Sequence, residues 1–384
     1  MGRIRLTNAA GLAALVTVGA IALSACSSSG GSTNETTSNT SSSSAPSSST
    51  SGGGSGSDIV CSTGKLDGSG STAQANAMDA WRKAYTDACS GATINYNPIG
   101  SGDGIAAMTA GTVQFAGSDA ALDPKEETPG VEKVCGSTPW NLPMVVGPIA
   151  IVYKLSGVDK LILNGPTIAD IFLGKVKTWN DPEIKKLNPG VNLPSTDITP
   201  FYRSDDSGTT FNFESYLAAT APSIFTTTPD KVSKGAHFAG QGKTGSQGVA
   251  DAVTQTEGGI GYVEFSYAVK GGLSTAEIDN GGGPVQLSAA TASKTAGTAK
   301  IVGKGNDLSL SIDYAVKTPG AYPIVLVTYE IVCSKYKDSS TGTFVKNFLT
   351  YTINGGQQQL LQLGYAPVPS ALAAKVKQSV AAIR

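Results

Sequence analysis

Three short segments combine glycine with hydroxyl side chains directly ahead of residues that read as helices. They are Gly68-Ser69-Gly70-Ser71-Thr72, Gly100-Ser101-Gly102-Asp103-Gly104 and Arg203-Ser204-Asp205-Asp206-Ser207-Gly208-Thr209-Thr210. Free amides at a helix N-terminus point along the positive end of the helix dipole, and small residues there let an oxyanion approach them. One such loop is commonplace. Three in a single chain, one of them bringing Arg203 and several hydroxyls, point to an oxyanion ligand. Covalent or metal chemistry has far less to work with, because it needs a nucleophile beside a base or a cluster of ligands. The chain has one histidine, His237, and no C-x-x-C pair, so no cofactor or metal is expected and an enzyme is disfavoured. His237 reads as a loop residue, the lysines between 175 and 186 as a solvated face, and Trp81 and Tyr85 as packing.

The N-terminus sets the compartment. Arg3 and Arg5 precede an apolar run over residues 9–23, the order of a secretory signal, and the run is too short for a permanent span. It ends in Leu23-Ser24-Ala25-Cys26, which is similar to a bacterial lipobox with Cys26 as the acylated residue. Residues 1–25 are thus expected to be a lipoprotein signal peptide. Residues 26–57, the lipidated cysteine and a Ser/Gly/Thr tract, cannot bury enough apolar surface to fold and are expected to be a disordered tether reaching about 30 Å. The expected location is the extracytoplasmic face of the cell membrane. Setting Cys26 aside leaves Cys61, Cys89, Cys135 and Cys333, an even number suited to disulfides in an oxidising compartment. Four cysteines allow three pairings and sequence does not choose among them. A strand followed by a returning helix favours Cys61 with Cys89, which leaves Cys135 with Cys333.

About three hundred folded residues exceed one comfortable core, so two domains are expected. A formal net charge of -1 gives no basic face for a nucleic-acid partner. Strand-like and helix-like segments alternate, the pattern of an α/β protein. Residues 93–96, 113–119, 150–154 and 325–332 read as strands. Met78, Trp81, Tyr85 and Ala88 share one helical face, and Asp181-Pro182 reads as an N-cap with proline at the first helical position.

The order of the motifs resembles the phosphate-binding component of the phosphate-specific ABC transporter, over nearly the whole chain from Leu66 onward. It rests on Gly68-Ser69-Gly70-Ser71-Thr72, Ile99-Gly100-Ser101-Gly102-Asp103-Gly104 and Phe115-Ala116-Gly117-Ser118-Asp119-Ala120. It continues through Ile168-Ala169-Asp170-Ile171-Phe172-Leu173-Gly174-Lys175, Trp179-Asn180-Asp181, the loop from Arg203 and Gly259-Ile260-Gly261-Tyr262-Val263-Glu264. The resemblance implies that Thr72, Ser101 and the Ala73 amide donate to phosphate, that Arg203 offers a two-pronged fork, and that Ser207, Gly208 and Thr209 complete the cradle. Asp205 would brace Arg203. Ala73 departs from a frequent phenylalanine, which alters packing more than recognition because the position contributes its amide. Asp119, otherwise a strand-end helix cap, would accept a hydrogen bond from the proton that phosphate keeps and sulfate lacks.

The implied architecture is the two-lobed periplasmic-binding-protein fold of type II, with two hinge crossovers and a ligand cleft between the lobes. Lobe one takes residues 58–144 and 325–384 and lobe two residues 145–324, with crossings at Pro143-Met144 and Tyr322-Pro323. The implied partners are inorganic phosphate, the permease and ATPase of an ABC importer, and the membrane through the lipid, with the protein itself a monomer. Competing readings are a sulfate or molybdate carrier, a surface adhesion or signalling protein with a vestigial anion site, and a phosphomonoesterase. The lipobox generates a direct test: Cys26→Ala should leave an unprocessed precursor or a protein free of membranes. A variant still recovered as a mature protein in the detergent phase would refute the anchor.

Overall fold

The computed structural model describes residues 59–231 and 235–384; the signal segment, Cys26, the tether and Asp58 lie outside the described residues. The first half of the chain runs β1 Gly64–Gly70, α1 Ala75–Ala88, β2 Ala92–Pro98, α2 Ser101–Thr109, β3 Phe115–Ser118, α3 Thr128–Cys135 and β4 Pro139–Tyr153. It continues through β5 Ile162–Asn164, α4 Gly165–Phe172, α5 Pro182–Leu187, β6 Thr199–Arg203, α6 Gly208–Thr220, β7 Gln241–Lys243, α7 Gly245–Gln255, β8 Gly259–Glu264 and α8 Phe265–Gly271. Short pieces follow: β9 Ser274–Thr275, β10 Glu277–Asp279, β11 Pro284–Val285, α9 Ala289–Ala296, β12 Lys300–Ile301 and β13 Leu310–Ser311. The chain closes with β14 Val325–Cys333, α10 Ser339–Ile353, α11 Gly356–Leu360 and α12 Ser370–Ala381.

The helices and strands follow the chain's periodicities. On α1 the residues Ala77, Met78, Trp81 and Tyr85 are buried, a three-and-four spacing that turns one stripe inward. Burial alternates along the edge strand β2, where Ala92, Ile94 and Tyr96 face the core and Thr93, Asn95 and Asn97 face water. In β14 every residue is buried, as expected of a central strand covered on both faces. Asn164, Asp181 and Ser207 each accept a backbone N–H at the start of α4, α5 and α6.

A nine-stranded sheet runs through both halves in the order β2-β1-β3-β14-β4-β8-β6-β7, with β9 paired beside β4, while β11-β10-β5 and β12-β13 form two small separate sheets. The first three strands are parallel, as are β8, β6 and β7. Between these groups, β14 and β4 run antiparallel to their neighbours. Two hydrophobic cores form on this frame, one around Trp81, Tyr85, Phe344 and Phe348 and the other around Phe172, Trp179, Phe213 and Tyr262.

Three details differ from the sequence reading. The crossing expected at Pro143-Met144 is made by the continuous β4, with Met144, Val145 and Val146 in the first core and Ile149 onward in the second. This strand passes from one core to the other along its length, whereas in β14 the alternation of side chains puts Val325 and Val327 in the first core and Leu326 in the second. The segment expected inside lobe two around α9 packs Ala292, Ala296 and Leu308 into the first core. The glycine loop after Leu66 is strand as far as Gly70, because a side chain at Gly68 would meet the Phe115 ring at 2.2 Å, so these glycines serve close packing as well as a turn.

Cys61 pairs with Cys89 and Cys135 with Cys333, each with Cα atoms 5.4 Å apart and with sequence separations of 28 and 198. Loop-closure entropy assigns about 3–4 kcal/mol to the short loop and about 5 kcal/mol to the long one. Paired serine substitutions should therefore lower the urea midpoint more for Cys135 and Cys333 than for Cys61 and Cys89. The reverse order would show that strain or residual unfolded structure outweighs the entropy.

Candidate functional site

The segments singled out by their glycines and hydroxyls converge where the C-terminal ends of β1, β3 and β6 meet the starts of α2, α6 and α7. At their centre is Asp119, 3% exposed, immediately after β3. Ser71 Oγ donates to its Oδ1 at 2.5 Å and Thr328 Oγ1 to the same oxygen at 2.7 Å, while Thr209 Oγ1 donates to Oδ2 at 3.3 Å. Burial pushes the Asp119 pKa up; these donors and the Arg203 charge pull it back without cancelling the rise. Three hydroxyls arranged to donate are the setting of an ionised carboxylate, with Oδ2 carrying the fewer bonds.

Arg203, at the end of β6, is buried and already braced. Its Nε donates to Asp205 Oδ1 at 2.6 Å, its Nη2 to Asp205 Oδ2, and its Nη1 to Ser246 Oγ at 3.3 Å. A guanidinium has five N–H groups, so one on each terminal nitrogen is left for a ligand, a fork spaced for two oxygens. Burial raises the Asp205 pKa but the Arg203 hydrogen bonds and charge outweigh it, and the net shift is downward. Tyr262, from the Gly259-Ile260-Gly261-Tyr262-Val263-Glu264 motif, holds the arginine's backbone by accepting from Arg203 N at 3.1 Å.

Ser101 is the first residue of α2, and its Oγ accepts from Asp119 N at 3.1 Å and Gly208 N at 3.2 Å. Both lone pairs are filled, which leaves its proton to donate. Contact this close requires glycine at 208, where a Cβ would stand 2.5 Å from Ser101 Oγ and 2.7 Å from Asp119 Cβ. Ser207 caps α6 by accepting from Thr210 N at 3.1 Å. Thr72 lies 2.9 Å from Ser246 Oγ, and Ala73 N donates to Ser71 Oγ at 3.1 Å. Thr72, Ala73, Ser101, Asp119, Arg203, Asp205, Ser207, Gly208 and Thr209 are thus brought together, whereas His237 is half-buried against Phe225 and Phe238 of the second core, 3.3 Å from Glu214. Among the described residues no His/Cys/Asp/Glu group could hold a metal ion.

Four contributors escaped the sequence reading: Ser71, Thr328, Asn212 and Ser246. Asn212 Nδ2 donates at 2.7 Å both to Asp119 O and to Gly208 O, tying β3 to α6. Ser71 sits inside the first glycine–hydroxyl segment, and Ser246 carried a similar signal, since Thr244-Gly245-Ser246 is a fourth such segment before a helix. Thr328 lies in a wholly buried strand whose sequence reads as core.

Two lobes around a single sheet, with hydroxyls, amides and an arginine turned into the junction, define a solute-binding protein of the periplasmic type. The model of the PBP superfamily domain matches residues 34–355. Phosphate-binding protein PstS 3 of Mycobacterium leprae is 44% identical over 322 residues, which cover 83% of this chain and 86% of that protein. Phosphate-binding protein PstS of Xylella fastidiosa is 35% identical, covering 82% and 84%. The chain belongs to the PstS family of phosphate-binding proteins within the PBP superfamily. Its fold is that of a high-affinity periplasmic phosphate-binding protein solved with phosphate bound, with a TM-score of 0.67 at 22% identity, covering 82% of this chain and 93% of that one.

Beneath the site, Glu330 of β14 is fully buried and neither carboxyl oxygen has a hydrogen-bond partner. Burial, aided by the nearby Asp119 charge, pushes its pKa to about 8, against the Gln74 amide, which approaches without completing a bond. The folded protein then keeps this proton between its ordinary value of 4.5 and about 8, where the unfolded chain has lost it. The Glu330 contribution to stability is therefore full below that window and falls through it by about 1.4 kcal/mol per pH unit. Urea unfolding of Glu330→Gln across this range should show a flatter decline than the unmutated protein, and an identical slope would place the proton elsewhere.

Proposed function

We propose that the protein binds inorganic phosphate outside the cytoplasmic membrane, where acylated Cys26 tethers it as a monomer, and delivers the phosphate to the permease and ATPase of an ABC importer. It acts by binding and performs no turnover. The observation that carries this reading is the Asp119 carboxylate inside an anion cradle. A bare carboxylate would repel any oxyanion, and the conflict disappears when the anion brings a proton for it to accept. Phosphate near neutral pH has one and sulfate has none. The relatives named as phosphate-binding proteins support the same ligand.

The roles follow atom by atom. Arg203 gives its two remaining N–H groups, Ser101 and Ser207 their uncommitted hydroxyl protons, and Thr209 its amide, while Thr72 closes the cradle from the other lobe; the Gly208 and Ala73 amides, engaged by Ser101 Oγ and Ser71 Oγ, orient those hydroxyls. Because donors come from both lobes, a bound anion stabilises the closed form over the open one, and the closed form is what a transporter distinguishes. Among the described residues no helix is long and apolar enough to cross a membrane, and membrane residence in this reading comes from the lipid.

Calorimetric titration, after scavenging bound phosphate, tests the reading. The unmutated protein should bind phosphate and reject sulfate by about ten-thousand-fold, the range open to a site that demands a missing hydrogen bond. Asp119→Asn offers an amide that can turn its NH₂ to a bare oxyanion, so phosphate should weaken by about tenfold or less while sulfate gains. Equal binding of the two anions by the unmutated protein would replace phosphate with a generic oxyanion.

A further inference from the structure

Ser246 stands at the start of α7, is 1% exposed, and lies between Arg203 and Thr72, two residues that reach the site from opposite lobes. Its Oγ accepts from Arg203 Nη1 at 3.3 Å and is 2.9 Å from Thr72 Oγ1, and its backbone N–H donates to Thr72 Oγ1 at 3.2 Å. The α7 N-terminus is fixed there because Gly245 N also donates to Asp205 Oδ1 at 3.1 Å.

A hydroxyl has one proton and two lone pairs. If Thr72 donates to Ser246, the Ser246 oxygen is filled by Thr72 and Arg203, and the Ser246 proton is uncommitted. If Ser246 donates to Thr72, the Thr72 oxygen is filled by the Ser246 hydroxyl and amide, and the Thr72 proton is uncommitted. Each arrangement satisfies the accepting oxygen and leaves a single proton, in a buried place where an unused donor is costly.

We propose that Ser246 is a ligand-binding residue of the second lobe that acts with Thr72 as one shared hydroxyl donor to the anion, so that closing the lobes creates the donor. The inference rests on the phosphate reading for its ligand and on the pair's geometry for its mechanism. Either hydroxyl alone lacks the partner that orients its proton, and losing either loses the same contact.

A double-mutant cycle tests this. Ser246→Ala and Thr72→Val should each weaken phosphate binding by about tenfold, and the double variant by about the same tenfold in place of the hundredfold expected of independent contacts. Ser246→Thr, which keeps the hydroxyl, should restore most of the affinity, and ligand-free thermal unfolding of each variant reports folding separately. Multiplying losses, or a Ser246→Ala variant that binds as the unmutated protein does, would overturn the proposal. A protein that ignores phosphate but takes sulfate would overturn the phosphate reading alone, and the same cycle run with sulfate then judges the shared donor. No oxyanion binding by the unmutated protein would overturn both.

Discussion

A carboxylate withdrawn from water is the constraint around which this molecule is organised. Leaving an ionised group buried and unpaired costs several kcal/mol, so Asp119 demands donors from every direction available to it. They come from β1 through Ser71, from β14 through Thr328 and from α6 through Thr209, segments that are distant in sequence. Meeting that demand draws the sheet's central strands and the start of α6 onto one point. The close backbone approaches follow: Gly70, at φ +139, leaves only 2.0 Å between a would-be Cβ and Gly117 O.

Charge accounting shows how such a place can receive an anion. Asp119 and Asp205 carry two negative charges against the single positive charge of Arg203, so the site has no positive excess among these groups. Attraction must come from oriented dipoles and hydroxyl protons, which act at short range and with direction, rather than from a diffuse field. The neighbouring acids stay out of the way for the same reason. Burial raises the pKa of Glu264 well above its ordinary value, with the Asp119 charge adding to the shift, and Glu330 behaves alike. The chain's near-zero net charge is consistent with recognition that is built locally.

The sequence exposed those parts of the site that depend on local chain chemistry. Glycine–hydroxyl segments before helices announce anion-facing amides, whereas the Arg203 fork and its Asp205 brace were implied by the family resemblance. Cysteine number and placement likewise led to the two disulfides that the structure holds. What stayed hidden arises from tertiary meetings with no local signature. Thr328 sits in Val325-Leu326-Val327-Thr328-Tyr329, which reads as buried strand, and its hydroxyl acquires meaning only because β14 lies beside β3. Asn212 faces Asp119 only once α6 has docked. The crossing expected near Pro143-Met144 runs through an unbroken strand, which tolerates Pro143 where its register with β14 shifts between Thr328 and Tyr329.

The unbroken β4 has a mechanical consequence. Two lobes joined by slack loops could slide as well as swing, but here both are strung on one two-stranded ribbon of β4 and β14. Such a ribbon resists stretching and shear through its ladder of hydrogen bonds, while twist about its long axis is its soft deformation. The molecule is therefore a torsion spring with two handles, and the angle between the handles is its principal degree of freedom. The register shift between Thr328 and Tyr329 locally steepens the ribbon's twist. Thr328 also bonds Asp119, so the site and the twisted part of the ribbon share a residue.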